Sequence, residues 1–406
     1  MSRVLKNSIV LIAFSMLMFP AFSQNVKESN YLLGKAFLES GENDSALVYL
    51  DKAQKEKAND PNIFFNKGLA LFNKAQYAMA IREFEQVEKL SKGKASIWLA
   101  RSYANLRDTE NSLKALEIHL TSNYRLPEST ILLDPSLKII ENEPEYIEFW
   151  KTGDWYSGLD EVLAEAGYLI KSRNYPEAIN VLSEGIKKGY RKAPIYAKRA
   201  EVYVAVSNYK LALDDLNQSI ELDSRNPVML AQRANILYLT GKYKPSLDDY
   251  NAAIKLNPDE LRYYVGRAMS AGKSGLYDAA VNDMNLYLSY YPGNDTAWFQ
   301  FGRIHFENEN YFDAIDCFNK ALKINQGDAR YFALRGATYL QTRTYQYAWK
   351  DLSMALDLNP NDSQVYLNKG IAAVNTGKSD DACFCFEMAK KMGNRDAFAY
   401  AEKYCK

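Results

Sequence analysis

The sequence predicts an all-α protein built from a repeated pair of helices, and three regularities support this fold class. From Leu159 to Asp396 the chain repeats one pattern of 34 residues seven times without insertion or deletion. Within each copy, position 8 is small and position 24 is bulky and apolar. Because two amphipathic helices approach closely only where side chains are small, this pairing predicts two helices that cross at position 8.

These regularities hold in every copy when Leu159 is counted as position 1. Position 8 is Ala166, Ala200, Ala234, Ala268, Gly302, Gly336 and Gly370. Position 20 is Ala178, Ala212, Ser246, Ala280, Ala314, Ala348 and Ala382. Position 24 is Leu182, Leu216, Tyr250, Met284, Phe318, Leu352 and Phe386. A pattern that recurs in phase predicts a stack of equivalent units, each touching only its neighbours.

The period and these small residues resemble the tetratricopeptide repeat (TPR), a helix-turn-helix unit. The resemblance covers residues 159–396 and two earlier copies in the same phase, 27–60 and 61–94. It implies a right-handed superhelical solenoid in which the first helix of each copy lines the inner surface.

The other segments depart from the period in ways that predict their roles. A third copy, from Ala95 to about Ser122, is degenerate, so we expect residues 24–122 to form an N-terminal array of about three repeats. Residues 123–158 carry three prolines and two tryptophans and are predicted as an irregular joint with short helices. Residues 397–406 alternate aromatic and charged side chains, which predicts a helix that caps the last repeat.

The first residues predict export. Arg3 and Lys6 precede an apolar run at residues 9–19, and small residues follow at Ala21 and Ser23, as in a cleaved signal peptide. The alternative, a membrane anchor, needs about 20 apolar residues, roughly twice this run. We therefore expect residues 1–23 to be removed, leaving a periplasmic or secreted chain without a transmembrane segment.

Four cysteines lie late in the chain: Cys317, Cys383, Cys385 and Cys405. Export would permit a disulfide bond among them. Cys383 and Cys385 are two residues apart on one predicted helix, so they point to different faces and cannot pair with each other. Cys383 stands where the other copies have large apolar residues, so we expect a small core residue there. Which disulfide forms, if any, stays open.

No pattern predicts catalysis, a cofactor or a metal. The stretch from Gly266 to Ser274 has the residue types of a phosphate-binding loop, but its glycines are one residue too far apart and no strand precedes it. The two histidines, His119 and His305, are not near the cysteines in sequence, so a zinc ligand set is not recognisable. Basic and acidic residues balance at 50 each, and this bulk charge predicts no nucleic-acid partner.

One charged pattern inside the repeats is informative. Four copies have arginine at position 7 and aspartate at position 23: Arg199 with Asp215, Arg233 with Asp249, Arg267 with Asp283, and Arg335 with Asp351. The copies from Leu159 and Asp295 lack both residues, and an early copy has Lys67 with Glu83. Because the two residues come and go together, we predict a structural ion pair between the helices of one repeat.

If the TPR resemblance holds, positions 2, 5, 9, 12 and 13 face the inner surface. In the middle copies they combine cations with side chains expected to be exposed and apolar or aromatic: Tyr238, Arg262, Met269, Lys273, Phe299, Arg303, Phe306 and Arg330. Such a mixture suits an extended or helical peptide with acidic groups. An ordinary solvated face is the alternative. The carboxylate clamp of chaperone-type TPRs is not supported, since Ala231, Asn235 and Gly266 occupy its positions.

Our hypothesis is an exported, non-enzymatic scaffold that holds a partner polypeptide on its concave face. The alternative is an accessory or ligand-binding domain of an envelope enzyme system, with its site near residues 123–158. The sequence does not identify the partner or the oligomeric state.

Overall fold

The structure is a computed structural model that describes residues 29–405, so the predicted signal peptide lies outside the described residues. Within that range every element is helical. The first part holds three helix pairs followed by short helices: α1 (Asn30–Glu39), α2 (Asn43–Glu56), α3 (Pro61–Asn73), α4 (Tyr77–Leu90), α5 (Ser96–Asn105), α6 (Thr109–Leu120), α7 (Glu128–Leu132), a 3-10 helix (Leu137–Ile140) and α8 (Pro144–Thr152).

The second part holds seven helix pairs and a final single helix. They are α9 (Gly158–Lys171), α10 (Tyr175–Lys187), α11 (Ala193–Ala205), α12 (Tyr209–Leu222), α13 (Pro227–Leu239), α14 (Tyr243–Leu256), α15 (Arg262–Lys273), α16 (Tyr277–Tyr290), α17 (Asp295–Glu307), α18 (Tyr311–Ile324), α19 (Ala329–Gln341), α20 (Tyr345–Leu358), α21 (Ser363–Asn375), α22 (Ser379–Lys391) and α23 (Asp396–Tyr404). Each 34-residue copy therefore contributes a first and a second helix.

The turn inside each repeat has one conformation. Its residue at position 15 lies in the left-handed region, as glycine in some copies (Gly241, φ 75°) and as a larger residue in others (Ser207, φ 58°). The next N–H then reaches back across the turn, as where Asn208 donates to the carbonyl of Tyr203 at 2.8 Å. This bond satisfies a carbonyl at the end of the first helix. The chain consequently reverses direction in the same way in every repeat.

The two helices of a repeat cross where the sequence predicts. A Cβ atom added to Gly302 would lie 2.5 Å from the ring of Phe318, closer than any side chain tolerates. Phe318 is fully buried. Glycine at position 8 therefore accommodates an aromatic side chain at position 24 of the same repeat.

The segment between the two arrays is packed against the third repeat. Ile131, Leu137 and Ile140 are buried in the same core as the helices of that repeat. The buried carboxylate of Asp134 accepts a hydrogen bond from Nε of Arg101 at 2.7 Å. Arg101 is at position 7 of the degenerate copy, so the joint supplies the acidic partner that this copy lacks at its own position 23.

The last helix covers the end of the second array. The rings of Tyr400 on α23 and Phe386 on α22 have centroids 5.4 Å apart, and Phe386 is fully buried. A disulfide joins Cys383 on α22 to Cys405, directly after α23. The expectation that Cys383 is a small core residue is therefore wrong, because its half-buried sulfur lies at the edge of α22 where the returning chain passes. The free cysteines Cys317 and Cys385 are buried.

Candidate protein-binding surface

Four repeats hold an arginine and an aspartate in contact, which confirms the pairing within a copy. Arg233 donates from Nε and Nη2 to the two carboxylate oxygens of Asp249, at 2.7 Å each. Its Nη1 donates to the side-chain oxygen of Asn217 in the preceding copy at 2.9 Å. The corresponding pairs are Arg199 with Asp215, Arg267 with Asp283, and Arg335 with Asp351. Each arginine thus joins two helices of its own repeat to the repeat before.

Two copies use lysine at the same position. Lys67 lies 3.1 Å from Glu83 of its own copy and 2.9 Å from Asp51 of the preceding one. Lys369, whose copy has Cys385 at position 23, lies 3.6 Å from Asp381 instead. Because Asp381 is one turn earlier on the same helix, the ion pair is kept with a different partner position.

The copy from Asp295 replaces the ion pair with packed neutral side chains. Phe301 and Cys317 occupy the two positions, and both are buried. Nδ1 of the buried His305 lies 2.7 Å from the hydroxyl of Tyr277 in the preceding copy. Burial lowers the pKa of His305 and raises the pKa of the Cys317 thiol to about 12. Both groups are therefore neutral near pH 7 and have the character of core residues rather than of a catalytic pair.

Three successive first helices bring four side chains together, which we call the inner cluster: Tyr238 on α13, Lys273 on α15, and Arg303 and Glu307 on α17. Nζ of Lys273 donates to Oε1 of Glu307 at 2.8 Å, and Nη2 of Arg303 lies 3.6 Å from the same oxygen. Burial raises the pKa of Tyr238, and the nearby charges of Arg303 and Lys273 oppose that rise. One carboxylate is thus shared by two cations beside a half-buried phenol ring.

Two further predicted cations, Arg262 and Arg330, lie at the surface and are paired locally. Nε of Arg262 donates to Glu260 at 2.6 Å, and Nε of Arg330 donates to Asp328 at 2.9 Å. The two arginine side chains are 76% and 67% exposed. Hydrogen bonds from Arg330 hold the pKa of Asp328 below its usual value. Both guanidinium groups are open to solvent but already hydrogen-bonded to an acid two residues earlier.

Phe299 does not lie on the surface, contrary to the expectation from the sequence. Its side chain is 5% exposed, and its ring centroid is 4.8 Å from that of Tyr331 in the next copy and 5.9 Å from that of Phe318. The neighbouring first helix carries a large ring at position 3 here, and that ring covers position 5. Phe299 is therefore a core residue between two repeats.

Met269 and Phe306 are half-buried. Met269 packs against the core formed by α15 and α16, and Phe306 packs against the core of the following repeats. The ring of Phe306 also meets Tyr311 edge-on, with centroids 5.8 Å apart. Each therefore offers only part of an apolar side chain to a ligand.

The sequence-predicted residues thus fall into separate groups. Tyr238, Lys273 and Arg303 come together, whereas Arg262 and Arg330 each form a local pair. Glu307 was not predicted from the sequence, although it stands at position 13, 34 residues after Lys273 at the same position. Equivalent positions on successive first helices are neighbours in a solenoid, and this spacing was the available signal.

The joint packs against a buried, neutral histidine on α6. Nε2 of the buried His119 accepts a hydrogen bond from the N–H of Leu126 at 3.0 Å. Burial, together with the charges of Arg101 and Arg125, lowers the pKa of His119 to about 4. A cleft of about 550 Å³ lies between α6 and α8. It is lined mainly by charged side chains, including Glu110, Lys114 and Glu143.

Residues 29–405 contain neither a membrane-spanning helix nor a metal-ligand cluster. No helix in this range combines the length and hydropathy required to cross a membrane. The same residues contain no group of three histidine, cysteine, aspartate or glutamate side chains placed to hold a metal ion.

Comparisons with known proteins agree with the architecture. Family models described as tetratricopeptide repeat match residues 61–94, 228–260 and 273–337. No curated protein matches the sequence. A tetratricopeptide repeat protein from Parabacteroides merdae gives a TM-score of 0.51 at 16% identity, over 61% of this chain and 98% of that chain.

Two other solved structures are similar over long stretches. The C-terminal part of a TPR repeat-containing protein from Cytophaga hutchinsonii gives a TM-score of 0.44 at 18% identity, over 59% of this chain and 98% of that chain. The APC/C hetero-tetramer Cut9–Hcn1 gives a TM-score of 0.49 at 14% identity, over 94% of this chain and 97% of that chain.

The helix pairs and their constant turn define an α-helical solenoid. The matched segments establish that this chain contains tetratricopeptide repeats, stacked as a right-handed superhelical solenoid. Such repeats point to a scaffold for protein–protein interaction.

Proposed function

We propose that the protein is an exported, non-enzymatic scaffold that binds a partner polypeptide on the concave face of its second array. The inner cluster carries this proposal, because the cations of two consecutive repeats share one carboxylate, and Tyr238 of a third repeat lies close enough for their charges to oppose the rise in its pKa. A shared cluster of cations and a phenol ring gives a bound peptide both charged and apolar contacts.

The charge of the inner cluster favours an acidic partner. Lys273 and Arg303 share the single carboxylate of Glu307, so the cluster keeps one positive charge. A carboxylate of the partner can take the place of Glu307 and form charge-assisted hydrogen bonds to the same cations. Arg262 at the start of α15 and Arg330 on α19 add further guanidinium groups. Each binds a partner by releasing its local acid and forming hydrogen bonds to a carboxylate of the partner instead.

Export is supported by the cysteine chemistry. The disulfide between Cys383 and Cys405 needs an oxidising compartment, such as a periplasm or the extracellular space. This agrees with the signal peptide expected at residues 1–23. A periplasmic or secreted protein of this kind would meet its partner in the cell envelope.

The test is a pull-down from an envelope fraction with the mature chain and two double variants. In the first variant, Lys273→Ala and Arg303→Ala remove the cations of the inner cluster. In the control, Lys244→Ala and Lys350→Ala remove two exposed lysines from second helices, so the net charge changes equally. We expect the first variant to lose a stoichiometric acidic partner that the control retains, and we expect the binding to weaken as salt rises.

Thermal melting of both variants is measured alongside. The control should stay within about 0.5 kcal/mol of the native chain, because its two lysines are exposed. The first variant must still melt as a folded protein, although it leaves the partly buried Glu307 without its two cations. A partner that binds both variants equally well would overturn the assignment of the inner cluster. The search would then move to the cleft between α6 and α8.

A further inference from the structure

Helix α1 touches a part of the chain more than 220 residues away. The N–H of Ser29 donates to the hydroxyl of Tyr290 at 2.9 Å. Nζ of Lys35 donates to the backbone carbonyl of Asp259 at 2.9 Å. The hydroxyl of Tyr291 donates to Glu39 at 2.8 Å. These three bonds run along the length of α1, which therefore lies against the repeat from Leu261 and the loop that precedes it.

Apolar side chains fill the space between these hydrogen bonds. Ala36 is 7% exposed and belongs to the same core as Leu261 and Tyr287. Leu32 and Leu33 pack against that core from α1. The contact therefore combines a small apolar centre with polar bonds at its rim, as protein interfaces do.

In other described repeats no helix covers the end of the second helix, which is where α1 binds in the repeat from Leu261. Position 30, at the end of the second helix, is apolar and exposed in six copies: Leu90 (51%), Leu222 (52%), Leu256 (39%), Ile324 (45%), Leu358 (43%) and Met392 (37%). Tyr290 stands at this position in the repeat that meets α1, and it is only 6% exposed. The difference marks Tyr290 as a docking point for α1 rather than an ordinary edge residue.

The first helix of an array needs such a cover. Position 10 of a first helix faces the preceding repeat, and it is buried in the interior copies, as at Val202 and Ile236. Within residues 29–405, two first helices have no repeat before them. Ala36 at position 10 of α1 is covered by the distant repeat, whereas Tyr168 at position 10 of α9 is 71% exposed.

We propose that α1 is a clasp that closes the turn of the solenoid running from Ser29 to Tyr291. The clasp fixes the two arrays relative to each other and so holds the inner surface at one curvature. Its release opens this turn. This inference does not depend on the identity of any partner.

Distance measurements between spin labels test the clasp in the full mature chain. Labels on Lys55→Cys in α2 and Gly293→Cys after α16 lie on either side of the contact, and both positions are exposed. The native free thiols of Cys317 and Cys385 are buried, and burial raises the pKa of each to about 12, so they react poorly with the label. We expect one narrow distance distribution in this labelled background.

Two clasp variants act from opposite sides of the contact. Tyr290→Ser removes the docking ring, and Lys35→Glu places a negative charge beside Glu260, which lies 3.7 Å from Lys35. We expect both variants to lose the narrow distribution in favour of a broader and longer one. Leu222→Ser, at the same position 30 but with no helix over it, is the matched control and should leave the distribution narrow.

Three outcomes would overturn the clasp. The labelled background could already give a broad distribution, the control could broaden as much as the clasp variants, or the clasp variants could stay narrow with unchanged melting. Dilution with unlabelled chain must also leave the distance intact, because a signal lost on dilution would place the contact between two copies.

Discussion

The apolar faces at the two ends of the described solenoid are covered in different ways. A stack of repeats leaves one uncovered apolar face at each end. At the C-terminal end the next segment of chain, α23, covers α22, and the disulfide between Cys383 and Cys405 holds it there. At the N-terminal end α1 is covered by a repeat that lies more than 220 residues later.

A cover supplied by the next segment of chain and one supplied by a distant repeat differ in the entropy lost when they form. A cover that follows directly in the chain closes a short loop, so its loop-closure entropy is small. The distant cover forms only if every intervening repeat has the right curvature, since each adds a small rotation to the superhelix. We therefore expect the C-terminal end to be the more stable of the two, and four sets of substitutions or deletions test this difference.

The largest effect should follow deletion of residues 397–406. This removes α23 and leaves the ring of Phe386 and its neighbours in α22 exposed. We expect the free energy of local opening in α21 and α22 to fall by about 3 kcal/mol or more, with repeats near α11 to α14 unchanged. Hydrogen exchange by mass spectrometry measures this, and protection that stayed uniform along the array would contradict a capping role.

Loss of the cross-link alone should matter next. Cys383→Ser opens a loop with a sequence separation of 22 residues, for which chain entropy predicts a loss of about 3 kcal/mol at the C-terminal end. Hydrogen exchange of α22 and α23 with and without a reducing agent checks the cause. The variant and the native chain should behave alike once both are reduced, and a remaining difference would assign the effect to packing of the side chain.

The third test concerns one partly buried ion pair in an interior repeat, for comparison with the two ends. Asp249→Ala leaves the arginine of its repeat partly buried and without its acid, and we expect a loss of about 1–3 kcal/mol in the free energy of unfolding. Adding Arg233→Leu should recover part of that loss, because an apolar side chain needs no partner there. Denaturation of the four members of this double-mutant cycle measures the coupling, and additive losses would rule it out.

The smallest effect on stability is expected for substitutions at position 10 of α1 and α9, the first helices of the two arrays. Tyr168→Asp on α9 should change stability by no more than about 0.5 kcal/mol, because its side chain is 71% exposed. Ala36→Asp on α1 buries a charge in the clasp and should cost about 1–2 kcal/mol, limited by the energy of detaching α1. Chemical denaturation compares the two, and an equal cost would mean that Tyr168 is also covered in solution.

Some of the candidate site followed from the sequence because its contacts repeat with the period. The pairing of Arg233 with Asp249 could be read from residues that appear and disappear together within a copy. Phe299 was misplaced because its burial depends on Tyr331, a large ring that the next copy happens to carry at position 3. The acid that pairs with Arg101 could not be predicted either, because Asp134 comes from the joint, where the 34-residue period is lost.

The repeated helix pair, the close crossing at position 8, the ion pairs inside a repeat and a capping helix at residues 397–406 all followed from the amino-acid sequence. The first three features depend on residues within about one repeat of each other, so a periodic sequence carries the evidence for them in several copies. The docking of α1 on Tyr290 and the bond from Cys383 to Cys405 were visible only in the tertiary structure. The long-range contact depends on the sum of many small rotations across two arrays and an aperiodic joint, and no single stretch of sequence encodes that sum.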